Sequence, residues 1–509
     1  MSDPRPCCVP DAPPGPGTGP IAVVDIGSNS IRLVVYSGLE RGALTLFNEK
    51  VLCGLGRGLA HSGRLHPDGV ALARRNLVRF TRLAAAMGVA RIDLLATAAV
   101  REAADGAAFV AEIEALCGHP VKVLSGAEEG RLSALGVIAG LDAVDGVMGD
   151  LGGGSLELVE LRGGEVGARA TLPLGPFQLM ERCGDDFRAM ANLVDARLDT
   201  VPWLESAACG CASFFAVGGA WRSLARIHMD AVGHPLRVIH GFAMCRREVD
   251  DLAAVIAGRS RRALARVKGV TRERLETLPA ATVVLRRVLH RLRGPRTRFS
   301  ALGLREGYLY DLLPAAERAR DPLIAQCADI ARREAHFDPM GEAVFAWSEV
   351  LFAGALGAAL PPRLRRASCL LSDISWRDHP DYRAVEALFR ILHYPFIGID
   401  HAARVALGYS AYIRYGGAAR GAVVAPYLPL MPGEVRRAAR ILGLAQRLAY
   451  RVSGATAAIL ARSRLVRATG GRELHLVLPD DGSAPVGAAV ERDLHALAEA
   501  VDAAPVIAG

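Results

Sequence analysis

One short phrase is written twice in this chain. Residues 25–35 read DIGSNSIRLVV and residues 150–160 read DLGGGSLELVE. Aligned without a gap, they share Asp25/Asp150, Gly27/Gly152, Ser30/Ser155, Leu33/Leu158 and Val34/Val159. Each copy is a polar, glycine-bearing tip between apolar β-forming runs, the pattern of a hairpin. The strands and helices expected after each copy predict an α/β domain duplicated within one chain.

The run Pro67–Met87 carries Val70, Leu72, Leu77, Phe80, Leu83 and Met87 at helical spacing. Strands are expected over 92–96 and 121–124, and Ser125 is placed to cap a helix opened by Glu128 and Glu129. In the second half, SFFAVGGAWRSLARI reads as strand, Gly-Gly turn and helix, and 300–304 as a strand before the helix REGYLYDLL. The texture then turns helical. A further helix is expected around 441–466, and HLVLP (475–479) opens a small terminal cap. The expected organisation is a disordered leader (1–20), a first α/β domain (21–140), a second (141–313), a helical domain (314–425) and a C-terminal domain (426–509).

At 22% charged and 51% hydrophobic residues, the chain is globular rather than disordered. Its net charge of +8 permits a polyanionic partner and selects none. Ten cysteines without a CxxC pair indicate neither a zinc site nor a disulfide framework, and suggest reduced thiols in the cytoplasm. The proline- and glycine-rich start lacks the apolar core of a signal peptide. The apolar run 345–360 is interrupted by Ser348 and Glu349 and is too short to span a bilayer. A soluble protein is expected, with neither membrane nor nucleic acid as partner.

A hairpin tip rich in Gly and Ser exposes several backbone N–H groups at once, and such a concave donor set binds phosphate. The candidate donors are Ser28, Asn29 and Ser30 in the first tip and Gly152, Gly153, Gly154 and Ser155 in the second. Asp25 and Asp150, ending the preceding strands, are placed to hold a divalent cation bridging to phosphate oxygens. Two facing tips would clamp one phosphate chain.

The hairpin pair resembles the phosphate loops of the actin, sugar kinase and heat-shock chaperone superfamily. More closely, VVDIGSNSIRLVVY, LATAAVREAADG, VLSGAEEGRLSALG, GDLGGGSLELVEL, FFAVGGAWR and SALGLREGYLY resemble, in order, the motifs of the exopolyphosphatase/guanosine pentaphosphate phosphatase family. The resemblance covers residues 21 to 313. It implies duplicated actin-like (ribonuclease H-like) ATPase-type domains, followed by an all-α HD-like domain and a small C-terminal α/β region. It also implies Mg²⁺ as cofactor, with Mn²⁺ and a monovalent cation as further ions, and a homodimer.

On that resemblance Glu128 is the water-activating base, and Glu129 a partner of the helix dipole. Asp150 is a metal ligand, with Asp25 and Glu157 completing the metal shell. Arg101 lies against the phosphate chain, where its planar fork suits phosphate oxygens. Gly218 and Gly219 line the same cleft. The basic stretches 258–269 and 286–298 would form a track for a long polyanion, favouring inorganic polyphosphate. In CLLSDISWRDHPDYR, Ser372-Asp373 stands where an HD site needs adjacent His and Asp; His379, His393 and His401 are the remaining nearby histidines, and a degenerate bundle is expected.

The expected activity is exopolyphosphatase, releasing terminal orthophosphate processively by Mg²⁺-assisted water attack. The sister activity on guanosine pentaphosphate (giving tetraphosphate) in the same site, and an alarmone-binding regulator without turnover, are the alternatives. An ATP-dependent kinase is disfavoured, since no sugar-binding signature stands out.

Overall fold

The computed structural model describes residues 19–210, 213–258, 264–270, 272–334, 336, 340–468, 471–479 and 486–508. Most of the expected leader, residues 1–18, lies outside the described residues.

The first sheet comprises β1 (Ile21–Ile26), β2 (Ser30–Tyr36), β3 (Thr45–Leu52), β4 (Arg91–Ala96) and β5 (Val121–Val123), in the order β3-β2-β1-β4-β5. The second comprises β6 (Gly146–Leu151), β7 (Leu156–Arg162), β8 (Glu165–Leu172), β9 (Ser213–Val217), β10 (Ala243–Met244) and β11 (Arg296–Phe299), in the order β8-β7-β6-β9-β11-β10. The duplication is therefore topological. In each sheet the repeated hairpin and its third strand are antiparallel, and the next two strands join in parallel. Both hairpins close with the same bond: the Gly27 N–H donates to the Ser30 carbonyl and the Gly152 N–H to the Ser155 carbonyl, each at 3.0 Å.

β3 and β8 have no counterpart among the sequence expectations. β3 alternates between half-buried and exposed residues and is an edge strand, so its apolar signal is weak. The strand expected over 300–304 lies instead at β11, where Thr297 and Phe299 are buried. Ser300 adds one bond to the Ala216 carbonyl before its hydroxyl turns the chain toward Leu302.

Seven helices matter for the site and its support: α1 (Pro67–Ala86), α2 (Ala98–Glu102), α3 (Gly126–Gly140), α4 (Pro176–Cys183), α5 (Gly219–Ala231), α6 (Leu278–Arg291) and α7 (Leu304–Leu312). α1 buries Ala73, Leu77, Phe80 and Ala84 on one stripe. α3 begins at the Ser125 cap, whose hydroxyl accepts the Glu128 N–H at 3.2 Å. α3 and α7 each pack on the opposite half. α3 puts Ala134 and Val137 among Met148, Val159 and Phe215 of the second sheet. α7 puts Leu304, Tyr308 and Leu309 among Ile21, Val23 and Val34 of the first. The two helices cross on glycines: a methyl at Gly136 would fall on the backbone of Gly303, and one at Gly307 on the Leu132 carbonyl.

Beyond Met340 the helices α8 (His401–Arg414), α9 (Gly433–Ser453) and α10 (Ala488–Ala500) share one core with a sheet of β12 (Arg464–Arg467), β13 (Glu473–Val477) and β14 (Ala504–Ala508). Val405, Tyr409, Leu442, Leu448, Leu474, Leu476 and Leu494 meet in that core, so among the described residues no separate core begins near residue 426. The helix expected over 441–466 ends at Ser453, because Gly454 takes a left-handed conformation (φ 58°), and β12 follows a short helix, Ala457–Arg462. The apolar run 345–360 is split among short helices. No helix among the described residues is long and apolar enough to cross a membrane.

Ser372 bonds to the Cys369 carbonyl and the Tyr450 hydroxyl, while Asp373 pairs with Arg414 at 3.4 Å. His379 approaches Asp381 at the surface, His393 stacks on Phe389, and His401 lies beside His234. The histidines near Ser372-Asp373 in sequence are thus engaged separately, and nothing among the described residues resembles a dinuclear metal site.

Gly307→Ala is expected to destabilise the protein by about 1–3 kcal/mol through overpacking, with a lower Tm in thermal unfolding. An unchanged Tm would contradict the crossing geometry.

Candidate active site

The two hairpin tips face each other across a cavity of about 210 Å³. Asp25, Ser28, Asn29 and Ser30 line it from the first sheet, and Asp150, Gly152, Gly153, Gly154 and Ser155 from the second. Gly218 and Gly219, at the β9–α5 turn, close one side. Neighbouring backbone holds both tips by their carbonyls. The N–H groups of Cys53 and Gly54 bond to the Asn29 carbonyl (3.1 and 3.0 Å), and that of Gly56 to the Ser28 carbonyl (2.8 Å). Gly175 and Phe177 do the same for Gly154 and Gly153, at 3.2 Å each. These bonds pin the negative ends of the tip peptides and leave an environment suited to an anion. Gly218 is required where it stands: φ is 105°, and a Cβ there would meet the Leu151 carbonyl at 2.5 Å.

Glu128, expected to face this cleft, does not. Its carboxylate pairs with Arg131 at 2.9 Å, and Arg131 also grips Asp311 at 2.7 Å. The Arg131 hydrogen bond holds the Glu128 carboxyl below its ordinary range. Glu129 lines the cavity instead. Consecutive helical residues point about 100° apart, so only one of the pair can face inward. Gly126, Gly130 and Ser133 mark the inward face at i, i+4 and i+7. Gly126 abuts Thr171, Gly130 abuts Glu157, and Ser133 donates to Asp150 at 2.5 Å. Glu129 lies on that stripe, and this spacing is the sequence signal that separates it from Glu128.

Arg101 is absent from the cavity lining. Its guanidinium donates to the Leu124 carbonyl at 2.7 Å and to Glu129 at 3.1 Å, so it orients the inward carboxylate. Burial pushes Glu129 up to about 7 against the opposing pull of Arg101, with Asp150 and Asp25 adding to the rise. Asp150 is raised by burial in spite of the Ser133 hydrogen bond. Glu157 is 2% exposed and raised well above its ordinary value, by burial and then by Glu129 and Asp150. Its Oε1 has no hydrogen-bond partner. Asp25 instead accepts from Arg305 at 2.6 Å. Among the described residues no three His, Cys, Asp or Glu side chains are grouped to hold a metal ion. A magnesium ion needs less than that, since it ordinarily takes one or two carboxylates plus waters and substrate phosphate oxygens. The chemistry of this donor set, crowded buried carboxyls with one orphaned oxygen, fits such an ion at Asp150 or Glu157 and disfavours Asp25.

The cavity is also lined by cations, and part of that set is invisible to motif reading. Arg32, Lys50, Arg222, Arg274 and Arg305 all line the cavity. Arg222 donates to the carbonyls of Gly218 (3.2 Å) and Ala301 (2.7 Å), and burial, with Arg305 nearby, lowers its pKa to about 10. Arg305 is raised despite burial by Glu306 and Asp25, and Glu306 accepts the Tyr36 hydroxyl at 2.6 Å. Arg32, Arg222 and Arg305 lie within the repeated or glycine-bearing phrases, where their charge beside a phosphate loop is the available signal. Lys50 and Arg274 lie outside every phrase singled out. The expected track over 286–298 is not part of the cleft: Arg286 pairs with Asp250, Arg287 with Asp195, Arg291 with Glu205 and Arg298 with Asp142. In the stretch 258–269, residues 259–263 lie outside the described residues.

With fold and cleft in view, the family can be stated: the chain belongs to the Ppx/GppA phosphatase family, which matches residues 19–316. The family described as exopolyphosphatase, C-terminal, matches residues 340–503. Exopolyphosphatase 2 of Mycobacterium tuberculosis is 35% identical over 174 residues, which cover 32% of this chain and 54% of that protein. The chain thus spans about half the length of the curated relatives it matches. A Cytophaga hutchinsonii exopolyphosphatase shares the fold (TM-score 0.54, 22% identity, 58% of this chain and 99% of that one). So does the Aquifex aeolicus member of the Ppx/GppA family (TM-score 0.50, 22% identity, 57% and 96%).

Because the folded state favours protonated Glu157, the wild type loses stability as pH rises from the ordinary carboxyl range toward that raised pKa. In the presence of a chelator, Glu157→Gln should therefore raise Tm more at pH 8 than at pH 5.5. Equal gains at both values would contradict the buried, unpartnered carboxyl.

Proposed function

We propose that this chain is an exopolyphosphatase that removes terminal orthophosphate from inorganic polyphosphate, one unit after another. The observation that carries this reading is the meeting, within one cleft, of three carboxylates (Asp25, Glu129 and Asp150) and five cationic side chains around two phosphate-loop hairpins. A chain of phosphates matches that row of cations; a lone phosphate monoester does not need it. The similarity to proteins named exopolyphosphatase supports the substrate class.

The terminal phosphoryl group sits between the two tips, held by their N–H groups and by Ser28, Ser30 and Ser155. Glu129, fixed by Arg101, accepts a proton from water as the water oxygen bonds to phosphorus. A carboxyl with pKa near 7 is suited to that exchange at neutral pH. The bridging P–O bond breaks, and Arg305 and Arg222 stabilise the charge on the shortened chain as it leaves. Asp150 and Glu157 would hold Mg²⁺, whose chemistry when bound is to neutralise phosphate charge. Glu128 has a supporting part: with Arg131 and Asp311 it ties α3 to α7.

Phosphate release from long-chain polyphosphate and from guanosine pentaphosphate, at matched concentrations with Mg²⁺, tests the reading. Glu129→Gln is expected to lower kcat by about 10²–10⁴-fold, the usual worth of a general base, while Glu128→Gln keeps kcat within severalfold. Loss in Glu128→Gln alone would return the base to the other residue. Release from the nucleotide only would move the protein to that substrate, and binding without release from either would make it a sensor.

A further inference from the structure

Arg41 stands in the turn between β2 and β3 and is 8% exposed. Among the described residues its guanidinium has neither an ion pair nor a hydrogen-bond acceptor. Nε is buried without a partner, and Cζ lies 5.1 Å from the centre of the Tyr310 ring on α7. A guanidinium does not escape burial by giving up its proton, so taking it out of water is costly until an acceptor is supplied. The turn that carries it is firmly built. The Ser37 N–H donates to the Leu44 carbonyl at 2.8 Å, and the Leu44 N–H to the Ser37 hydroxyl at 2.9 Å. Gly42 has φ 92°, and a Cβ there would meet Gln326 Cγ at 2.7 Å. Gln326, on the helix Pro322–Glu334, donates to the Gly42 carbonyl at 3.3 Å and accepts the Ile397 N–H at 3.1 Å. Three segments distant in sequence meet at this seam.

A cavity of about 50 Å³ opens at the seam, with Arg41, Arg320 and Arg332 among its lining. None of its lining residues lines the cleft. The seven residues of β2, at about 3.3 Å each, set the turn roughly 20 Å from the hairpin tip. The acids around the cavity are already engaged. Glu40 accepts the Ser37 hydroxyl at 2.6 Å, and Asp329 pairs with Arg332 at 3.0 Å and Arg333 at 2.9 Å. Asp321, the one acid that acts on the Arg41 charge, pairs with Arg363 and accepts the N–H groups of Leu323 and Ile324. Arg320 pairs with Glu317 at 3.0 Å. Arg320 and Arg332 lie at the surface, where such pairs are worth little, so both are able to turn to an anion at the mouth.

We infer that Arg41, with Arg320 and Arg332 at the mouth, forms a second oxyanion site that takes one phosphoryl group at the seam between the first half and the C-terminal helices. The site is independent of the substrate proposed for the cleft. A cavity of this size holds only a few waters, which admits one tetrahedral oxyanion and excludes a nucleotide. Three guanidinium forks suit an anion with many oxygens, whereas a carboxylate satisfies one fork. A free phosphate ion and the end of a longer phosphorylated molecule present the same oxygens. Either would join the turn to the helix Pro322–Glu334 and, binding only the folded chain, would stabilise it by mass action.

The experiment titrates the full chain, in the presence of a chelator, with inorganic phosphate and separately with tripolyphosphate, and follows Tm and binding by calorimetry. Potassium chloride at matched ionic strength controls for screening. Wild type is compared with Arg41→Met and with the double variant Arg320→Gln/Arg332→Gln; the cleft is intact in all three. Phosphate should raise Tm most in the wild type. Affinity at this site should fall at least about tenfold in Arg41→Met, the worth of a charged hydrogen bond, and severalfold in the double variant, whose exposed positions leave folding untouched. Without phosphate, Arg41→Met should melt no lower than wild type, since a buried charge lacking a partner has been removed. A gain from phosphate that the variants lose assigns the free ion; one seen only with tripolyphosphate and lost in the variants assigns the end of a longer molecule. Equal gains in wild type and variants, or no gain in the wild type from either anion, would overturn the site. Should Arg41→Met fail to fold, the double variant decides by the same comparison.

Discussion

The glycine-lined crossing of α3 and α7 is the contact on which the rest depends. Each helix leaves one half of the duplicated domain and packs into the other half's core. Backbone meets backbone there because Gly136, Gly303 and Gly307 bring no side chain. The same two helices line the cleft. α3 presents Glu129 and, through Ser133, steadies Asp150; α7 presents Arg305, which holds Asp25, and Glu306, which holds Tyr36. A shift of the crossing would move the carboxylates and the cations relative to one another.

Those groups are held under electrostatic tension. Burial disfavours charge on Glu129, Asp150 and Glu157, and equally on Arg222. Neither set is fully paired with the other, and a buried polar network left part-satisfied is costly. Stability is surrendered in this way where a ligand supplies the missing partner. In the proposed reading, phosphate oxygens would answer the cations and a divalent ion the carboxyls.

The C-terminal half bears on the site through the far end of α3. The Gly140 carbonyl accepts both the Gly398 N–H at 2.6 Å and the His240 ring at 2.7 Å. His240 accepts the Ala301 N–H at its other nitrogen, which fixes Nε2–H as the donor to Gly140. Burial lowers His240 to about 4, so it stays neutral in this joint at neutral pH. In this half Ser372 is tied to Tyr450 and Asp373 is paired with Arg414.

The duplicated hairpins, their closing turns and the tip residues were legible in the sequence because each depends on a few adjacent residues: glycine and serine between apolar β runs dictate a tight turn. The Ser125 cap and α1 were legible for the same reason. What tertiary structure alone decided was which groups meet. Glu128 and Glu129 are neighbours of one type, and only the packing of Gly126 and Gly130 on β7 and β8 turns the second inward. Arg101 has the charge expected for phosphate, yet the Leu124 carbonyl and Glu129 capture it. Lys50 sits on an edge strand with a weak pattern and gains its setting from a three-strand register. Local chemistry writes the turns; long-range packing chooses the faces, and the site is a matter of faces.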